Sequence, residues 1–279
     1  MARHFLNEEK ASFKPVKFNL RSAVIIVLIL VMVFSGYKVL SGVIKYKAGE
    51  KFDEDLQTEI VEVVKKDPVS SKPSNVISGD PNDRGGMEEY EVELKINFNR
   101  LKEKNSDTIG YIYSDGTPIN YPIVQGRDND YYINHRFDGV YSSFGSIFID
   151  YRQANNFSEN YTVLYGHNMD NGSMFAELLK YRTQDYYDNH KEMLIHTPDK
   201  KYTLSIFSGY VASVEDFCYT AIDEYVDMGS LIDYAKSCSY FKSDVEVSSD
   251  DKIVLLSTCA YDFKNARFVV FGKLTEITD

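Results

Sequence analysis

The chain has 279 residues, of which 43% are apolar and 26% charged; that is ordinary globular composition, enough for one large domain or two small ones. The net charge of −11 is unevenly spread, with +6 over residues 1–47 and −17 over the remainder, and so acidic a body argues against nucleic acid as the main partner. Three cysteines do not make a disulfide scaffold, and Cys218 and Cys238, twenty positions apart, could be a pair or two buried thiols.

The first element is an apolar run from residue 23 to 44, broken only by Ser35, Gly36, Tyr37, Lys38, Ser41 and Gly42. It is long enough to cross the hydrocarbon core as a helix, and Lys38 can snorkel toward an interface. A cleaved signal peptide is the competing reading, but no small-x-small site closes the run. Arg3, Lys10, Lys14, Lys17 and Arg21 precede it, so the positive-inside rule assigns 1–22 to a cytoplasmic tail, 23–44 to a transmembrane anchor in the lipid bilayer and the rest to the outside. Phe52, Leu56, Ile60 and Val63 fall at helical spacing among acidic residues and suggest a short amphipathic stalk. Residues 65–86, with three prolines, three glycines and four serines, have the composition of a flexible linker. Residues 45–86 are therefore expected to be stalk and linker, and 87–279 a single domain.

Within that domain, Leu94, Phe98 and Leu101 predict a covering helix over Tyr90 to Lys104. Strands are expected at Thr108–Tyr113, Ile119–Val124, Gly145–Asp150, Tyr161–Tyr165, Met193–His196 and Tyr202–Val211, with a helical turn at Asp128–His135 and a short helix at Met174–Tyr181. A long connection, Ser213 to Ser249, holds a helical segment from Met228 to Tyr240. The final stretch, Lys252 to Leu274, reads as two strands around the loop Ala260 to Ala266, and a connection that short favours an antiparallel pair. Many short strands with few helices predict a mainly β fold, a closed or nearly closed barrel with short helices in its connections. The 22 tyrosines suit ordinary strand filling as well as recognition of an extended peptide.

The strand pair brings Cys259 and Arg267 to one rim of the sheet. A thiolate is the active form of cysteine and is favoured by a nearby cation, although buried cysteines at strand ends are common. His167 also follows a strand directly, between Gly166 and Asn168, a turn-like and polar setting for a histidine. The five histidines show no metal-ligand spacing, the cysteines no CxxC, and Asp128-Asn129-Asp130 lacks the rest of a calcium loop and suits a turn or a helix cap. Phosphate-loop and GxSxG patterns are absent too, so neither metal nor cofactor is expected.

Taken together, these motifs resemble the sortases. Leu256-Ser257-Thr258-Cys259 is similar to their TLxTC signature with Leu255 in place of the first threonine, Tyr165-Gly166-His167-Asn168-Met169 to their histidine motif, and Arg267 in ARFVVFGKL to their essential arginine. The serine in LSTC, the YGHNM form and the helix-bearing connection resemble class B in particular. The resemblance implies an eight-stranded barrel and a membrane-anchored cysteine transpeptidase. Cys259 would be the nucleophile, His167 the proton carrier and Arg267 the oxyanion partner, with the backbone N–H of Ala260 as a second donor. Ser257, Tyr165, Asn129 and Ile133 would line the peptide groove. Implied partners are secreted proteins with a C-terminal sorting motif of the NPxTx or PxTG-like kind, and a peptidoglycan peptide amine as acceptor. The implied location is the outer face of a Gram-positive cell membrane. A Cys/His hydrolase without transfer and a non-catalytic tethered binding module are the readings from other classes.

Overall fold

The computed structural model describes residues 20–66, 91–222 and 226–278. In chain order its elements are α1 (Leu20–Ile60), β1 (Val61–Lys66), β2 (Glu91–Ile96), α2 (Phe98–Lys104), β3 (Thr108–Tyr113), β4 (Asn120–Val124), β5 (Ile147–Ile149), β6 (Tyr161–Tyr165), a 3-10 helix (Ala176–Arg182), α3 (Gln184–Asn189), β7 (Glu192–His196), β8 (Lys201–Ser213), α4 (Phe217–Thr220), α5 (Met228–Cys238), β9 (Lys252–Cys259) and β10 (Ala266–Glu276). Eight strands close a barrel in the order β10-β8-β7-β3-β4-β5-β6-β9, while β1 and β2 form a separate antiparallel pair. Two neighbour pairs in the barrel, β4 with β5 and β6 with β9, run parallel, and the rest are antiparallel.

The apolar run in β9 serves two cores at once. Val254 and Leu256 enter the cluster that fills the barrel, whereas Ile253 and Leu255 enter a second cluster with Leu231, Ile232 and Ala235 of α5. Strand β10 alternates in the same way, Phe268 and Val270 inward, Val269 and Phe271 toward the α5 side. Side chains alternate across a strand, so an uninterrupted apolar sequence is what a strand covered on both faces requires. The same alternation puts Ser257, Cys259 and Arg267 on the α5 side of the sheet, outside the barrel interior.

The chain divides into two units, Met1–Lys45 and Tyr46–Asp279. In the first, α1 is exposed and apolar, with an 18-residue window of mean hydropathy 2.6, long and apolar enough to cross a membrane by length and composition. The second unit starts earlier than the sequence suggests. Leu56 and Ile60, expected on a stalk, are buried with Leu101, Tyr111, Val124, Tyr132, Phe137 and Phe148, so the apolar stripe of α1 faces the barrel wall instead of standing free. The linker expected up to residue 86 and the start expected at Met87 lie largely outside the described residues.

Two further expectations change. The helix over Tyr90–Lys104 divides into β2 and α2, because Glu91–Ile96 finds a strand partner in Val61–Lys66 and Asn97 then caps α2 by accepting from the Arg100 N–H at 3.1 Å. Asp128–His135 forms turns without a helix: Asp128 Oδ1 accepts from the N–H groups of Asp130 (2.9 Å) and Tyr131 (2.8 Å), an aspartate-nucleated turn. All three cysteines are free, and Cys218 is buried.

Candidate active site

The register of β9 and β10 sets the site. Arg267 is the direct cross-strand partner of Cys259, and two residues on, Val269 pairs with Ser257. Residues directly opposite in an antiparallel pair have Cα atoms ~4.5–5.5 Å apart and project to the same face, so thiol and guanidinium are neighbours by construction. The β6–β9 pair extends the row, since Tyr165 is the partner of Ser257. Gly166 prolongs that ladder by donating its N–H to Ser257 O at 3.1 Å, and His167 comes next. Asn168 ties the ends of the two strands, its Nδ2 donating to the Cys259 carbonyl at 3.0 Å.

Cys259, His167 and Arg267 line one cleft of about 560 Å³, together with Ser257, Tyr165, Asn129 and Ile133. Seven of the eight residues singled out from the sequence thus share one concavity. His167 Nε2 lies 2.6 Å from the carbonyl oxygen of Ile133. A carbonyl only accepts, so Nε2 carries a proton and Nδ1 is the ring atom left for proton exchange. Arg267 is steadied by its Nη1 donating to Ala266 O at 3.0 Å.

Ala260 is the exception. Its N–H donates to Ala266 O at 3.0 Å across the mouth of the hairpin, and its side chain is buried with the barrel core. That N–H, expected as a second oxyanion donor, is engaged within the hairpin in this structure. Thr258, which alternates to the barrel side with Leu256 and Phe268, has a buried Oγ1 with no hydrogen-bond partner.

The groove wall is organised by a residue the sequence does not flag. Asp150 is fully buried, and its carboxylate accepts from Arg152 Nε and Nη2 (both 2.8 Å), Asn129 Nδ2 (2.8 Å) and Tyr165 OH (3.1 Å). Burial alone would raise its pKa, but the Arg152 fork, the Arg152 N–H and the Asn129 amide together hold it below the usual carboxylate value. Burial, and next the Asp150 charge, push the Tyr165 phenol well above its ordinary range, so it stays a donor. Opposite, the connection after β8 contributes Val214, Tyr219, Thr220 and Ile222, with Tyr219 OH and Ser257 Oγ sharing a hydrogen bond of 2.6 Å. Tyr219 and Asp150 act on the site through partners far away in sequence, whereas Asn168 and Thr258 adjoin the very residues the motifs point to. Among the described residues no group of His, Cys, Asp or Glu is placed to hold a metal ion.

A cysteine, a histidine and an arginine on the ends of three barrel strands, in one cleft, is the arrangement to which the comparisons with known proteins also lead. The Sortase domain family matches residues 112–275, more than half of the chain. The chain belongs to the sortase family. Sortase B of Staphylococcus aureus is 30% identical over 257 residues, covering 91% of this chain and 96% of that protein, and sortase B of Listeria monocytogenes is 38% identical over 186 residues, covering 65% and 75%. The solved S. aureus sortase B–substrate complex superposes with a TM-score of 0.60 at 35% identity, over 65% of this chain and 85% of that one. These relatives make the chain a class B sortase, a cysteine transpeptidase on an eight-stranded barrel.

Proposed function

We propose that this sortase cleaves secreted proteins at a C-terminal sorting motif of the NPxTx or PxTG-like kind, after its threonine, and joins them to a peptide amine of the cell wall. The observation that carries the reading is the direct pairing of Cys259 with Arg267 in the cleft that also holds His167. The Cys259 thiolate attacks the threonine carbonyl; as the C–N bond breaks, His167 gives its Nδ1 proton to the leaving amine, and a thioester remains on Cys259. The acceptor amine then attacks the thioester, its proton returns to His167, and the thiolate leaves with the new amide formed. Arg267 stabilises the oxyanion in both steps.

The peptide lies along Ser257, Tyr165, Asn129 and Ile133 on one side and the Tyr219 wall on the other. Support for peptide binding comes from the cleft's size and partly apolar lining, and from the S. aureus relative, which was solved with a substrate. Residues 23–44 anchor the enzyme in the cell membrane of a Gram-positive bacterium with the N-terminus inside and the catalytic unit outside; the apolar helix and the basic flank before it support this. The test is to incubate the enzyme with sorting-motif peptides, with and without an added amine. A thioester adduct on Cys259 by mass spectrometry and an amine-dependent transfer product are expected. Hydrolysis indifferent to the amine, or an adduct on another residue, would overturn the reading.

A further inference from the structure

His167 lies two residues beyond the end of β6, and its ring is set by atoms of a loop. Nε2 donates to the Ile133 carbonyl at 2.6 Å, and on the same side Gly145 comes so near that a Cβ there would lie 2.9 Å from His167 Cδ2 and 2.6 Å from Ile133 O. Ile133 and Gly145 are the two limbs of one segment, residues 131–146, built of turns and a single bridge between His135 and Tyr141. A segment with so little ladder of its own takes its order from what packs on it.

Tyr132, Phe137 and Phe144 bury into the core clusters, and over them packs the C-terminal stretch of α1, which belongs to the same unit as the barrel. The Arg136 guanidinium lies 4.1 Å from the centre of the Phe52 ring, donates through Nη1 to Ala48 O at 3.3 Å, and is oriented by Asp138, which accepts from its Nε at 2.9 Å. Phe144 packs on Tyr46 with ring centres 4.8 Å apart, and it meets the helix where Gly49 leaves room: a Cβ at that position would stand 3.0 Å from the ring. The same helix also reaches the loop that follows His167, where Asn171 Nδ2 donates to Glu50 Oε1 at 3.2 Å. Both chain segments flanking the imidazole are thus held by one helix end.

We propose that the end of α1, residues 46–60, is a brace that positions the imidazole of His167 through Ile133, with Phe52 and Arg136 as its positioning residues. The inference rests on the reading of His167 as the proton carrier. The brace fixes the acceptor for Nε2, and with it the tautomer and the direction of Nδ1; loosening it leaves the thiol and the groove residues Ser257, Tyr165 and Asn129 in place, shifts Ile133 alone of the groove, and misdirects the proton. The effect therefore falls mainly on turnover, with a smaller one on peptide binding through Ile133.

The full-length chain in detergent micelles carries the test. In Phe52→Ala, kcat for transfer to an amine is expected to fall about tenfold with peptide KM within about twofold, a transition-state loss of ~1.4 kcal/mol. The His167 Nε2–H proton, followed by 15N NMR and assigned by its loss in His167→Gln, is expected to exchange slowly with water in the parent and fast in the variant. Phe52→Tyr, which keeps the ring, should restore both readouts, and Asp55→Ala, on the exposed side of the helix, should change neither. A folded Phe52→Ala enzyme with parental kcat and Nε2–H exchange overturns the brace, as does a rise in KM at constant kcat. If Phe52→Ala does not fold, Arg136→Lys, which keeps the charge but loses the planar group stacked on the ring, decides by the same readouts. Turnover surviving in His167→Gln would sink the catalytic reading instead, and the exchange measurement would still decide the brace.

Discussion

Asp150 concentrates the groove's electrostatics in a single side chain. Its partners stand 2, 15 and 21 positions away in sequence, so nothing local marks it; in the sequence it is only the last residue of an expected strand. Cys259, His167 and Arg267, which share the cleft, stand out in the sequence because the chemistry expected of them resides in the residue type and its immediate neighbours. A residue that works by gathering others has no such signature. Replacing Asp150 by alanine leaves Arg152, Asn129 and Tyr165 without their shared acceptor. Breaking a buried pair costs ~3–5 kcal/mol, and because the Arg152 side chain is 33% exposed and can turn to water, ~2 kcal/mol is the expected loss of stability here. Peptide KM should rise by about tenfold while kcat changes less, since the wall that carries Asn129 and Tyr165 is what moves. Chemical denaturation and steady-state kinetics check both; unchanged KM would show that the wall stands without its carboxylate.

At the scale of elements, the hairpin of β9 and β10 was readable from its apolar runs and short loop, and the register that sets Cys259 against Arg267 follows from them. Residues Glu91–Ile96 form a strand although Leu94, Phe98 and Leu101 fit a helix, since Val92, Leu94 and Ile96 equally fit the two-residue period of a strand. The pairing with Val61–Lys66, thirty residues earlier, decides between the two patterns, and composition carries no record of it. Ala260 illustrates a related point: whether a backbone N–H is free depends on the closing bond of the hairpin, which its sequence does not display. The end of β6 shows how tightly an element can be bound to its surroundings. A Cβ on Gly166 would stand 2.5 Å from Ile147 Cδ1 and 2.6–2.7 Å from the Phe175 ring, a rigid group that cannot turn away in place. Gly166→Ala is therefore expected to cost ~1–3 kcal/mol by overpacking. It should also lower kcat more than the loss of folded protein explains, because the displaced residue adjoins His167. Activity measured well below the unfolding temperature separates the two effects, and a fully active variant would show that the strand end yields without moving the imidazole.

For the molecule as a whole, strand content pointed to a barrel, but its closure rests on the parallel pairs β4–β5 and β6–β9, which join segments brought together only by the fold. The stability of that barrel carries a pH signature of its own. His196, at the end of β7, is 5% exposed, and burial, aided by the nearby Lys201 charge, lowers its pKa from 6.5 to about 4. Above pH 6.5 the residue is neutral in folded and unfolded chains alike and contributes no pH dependence. Between 6.5 and about 4 the unfolded chain takes up the proton while the folded barrel refuses it, so stability declines as the pH falls through this window. One proton limits the slope to ~1.4 kcal/mol per pH unit. The depressed carboxylate of Asp150 adds to acid sensitivity as well, but its stabilisation is present above the ordinary carboxylate pKa and is lost only below it, in a more acidic range. The two contributions are therefore separable. His196→Gln, which cannot titrate, should flatten the stability profile between pH 6.5 and 4 and leave the steeper fall at lower pH in place. Denaturant midpoints taken across pH 3 to 8 for the parent and the variant test this, and parallel curves through the upper window would mean that His196 is protonated in the fold without cost.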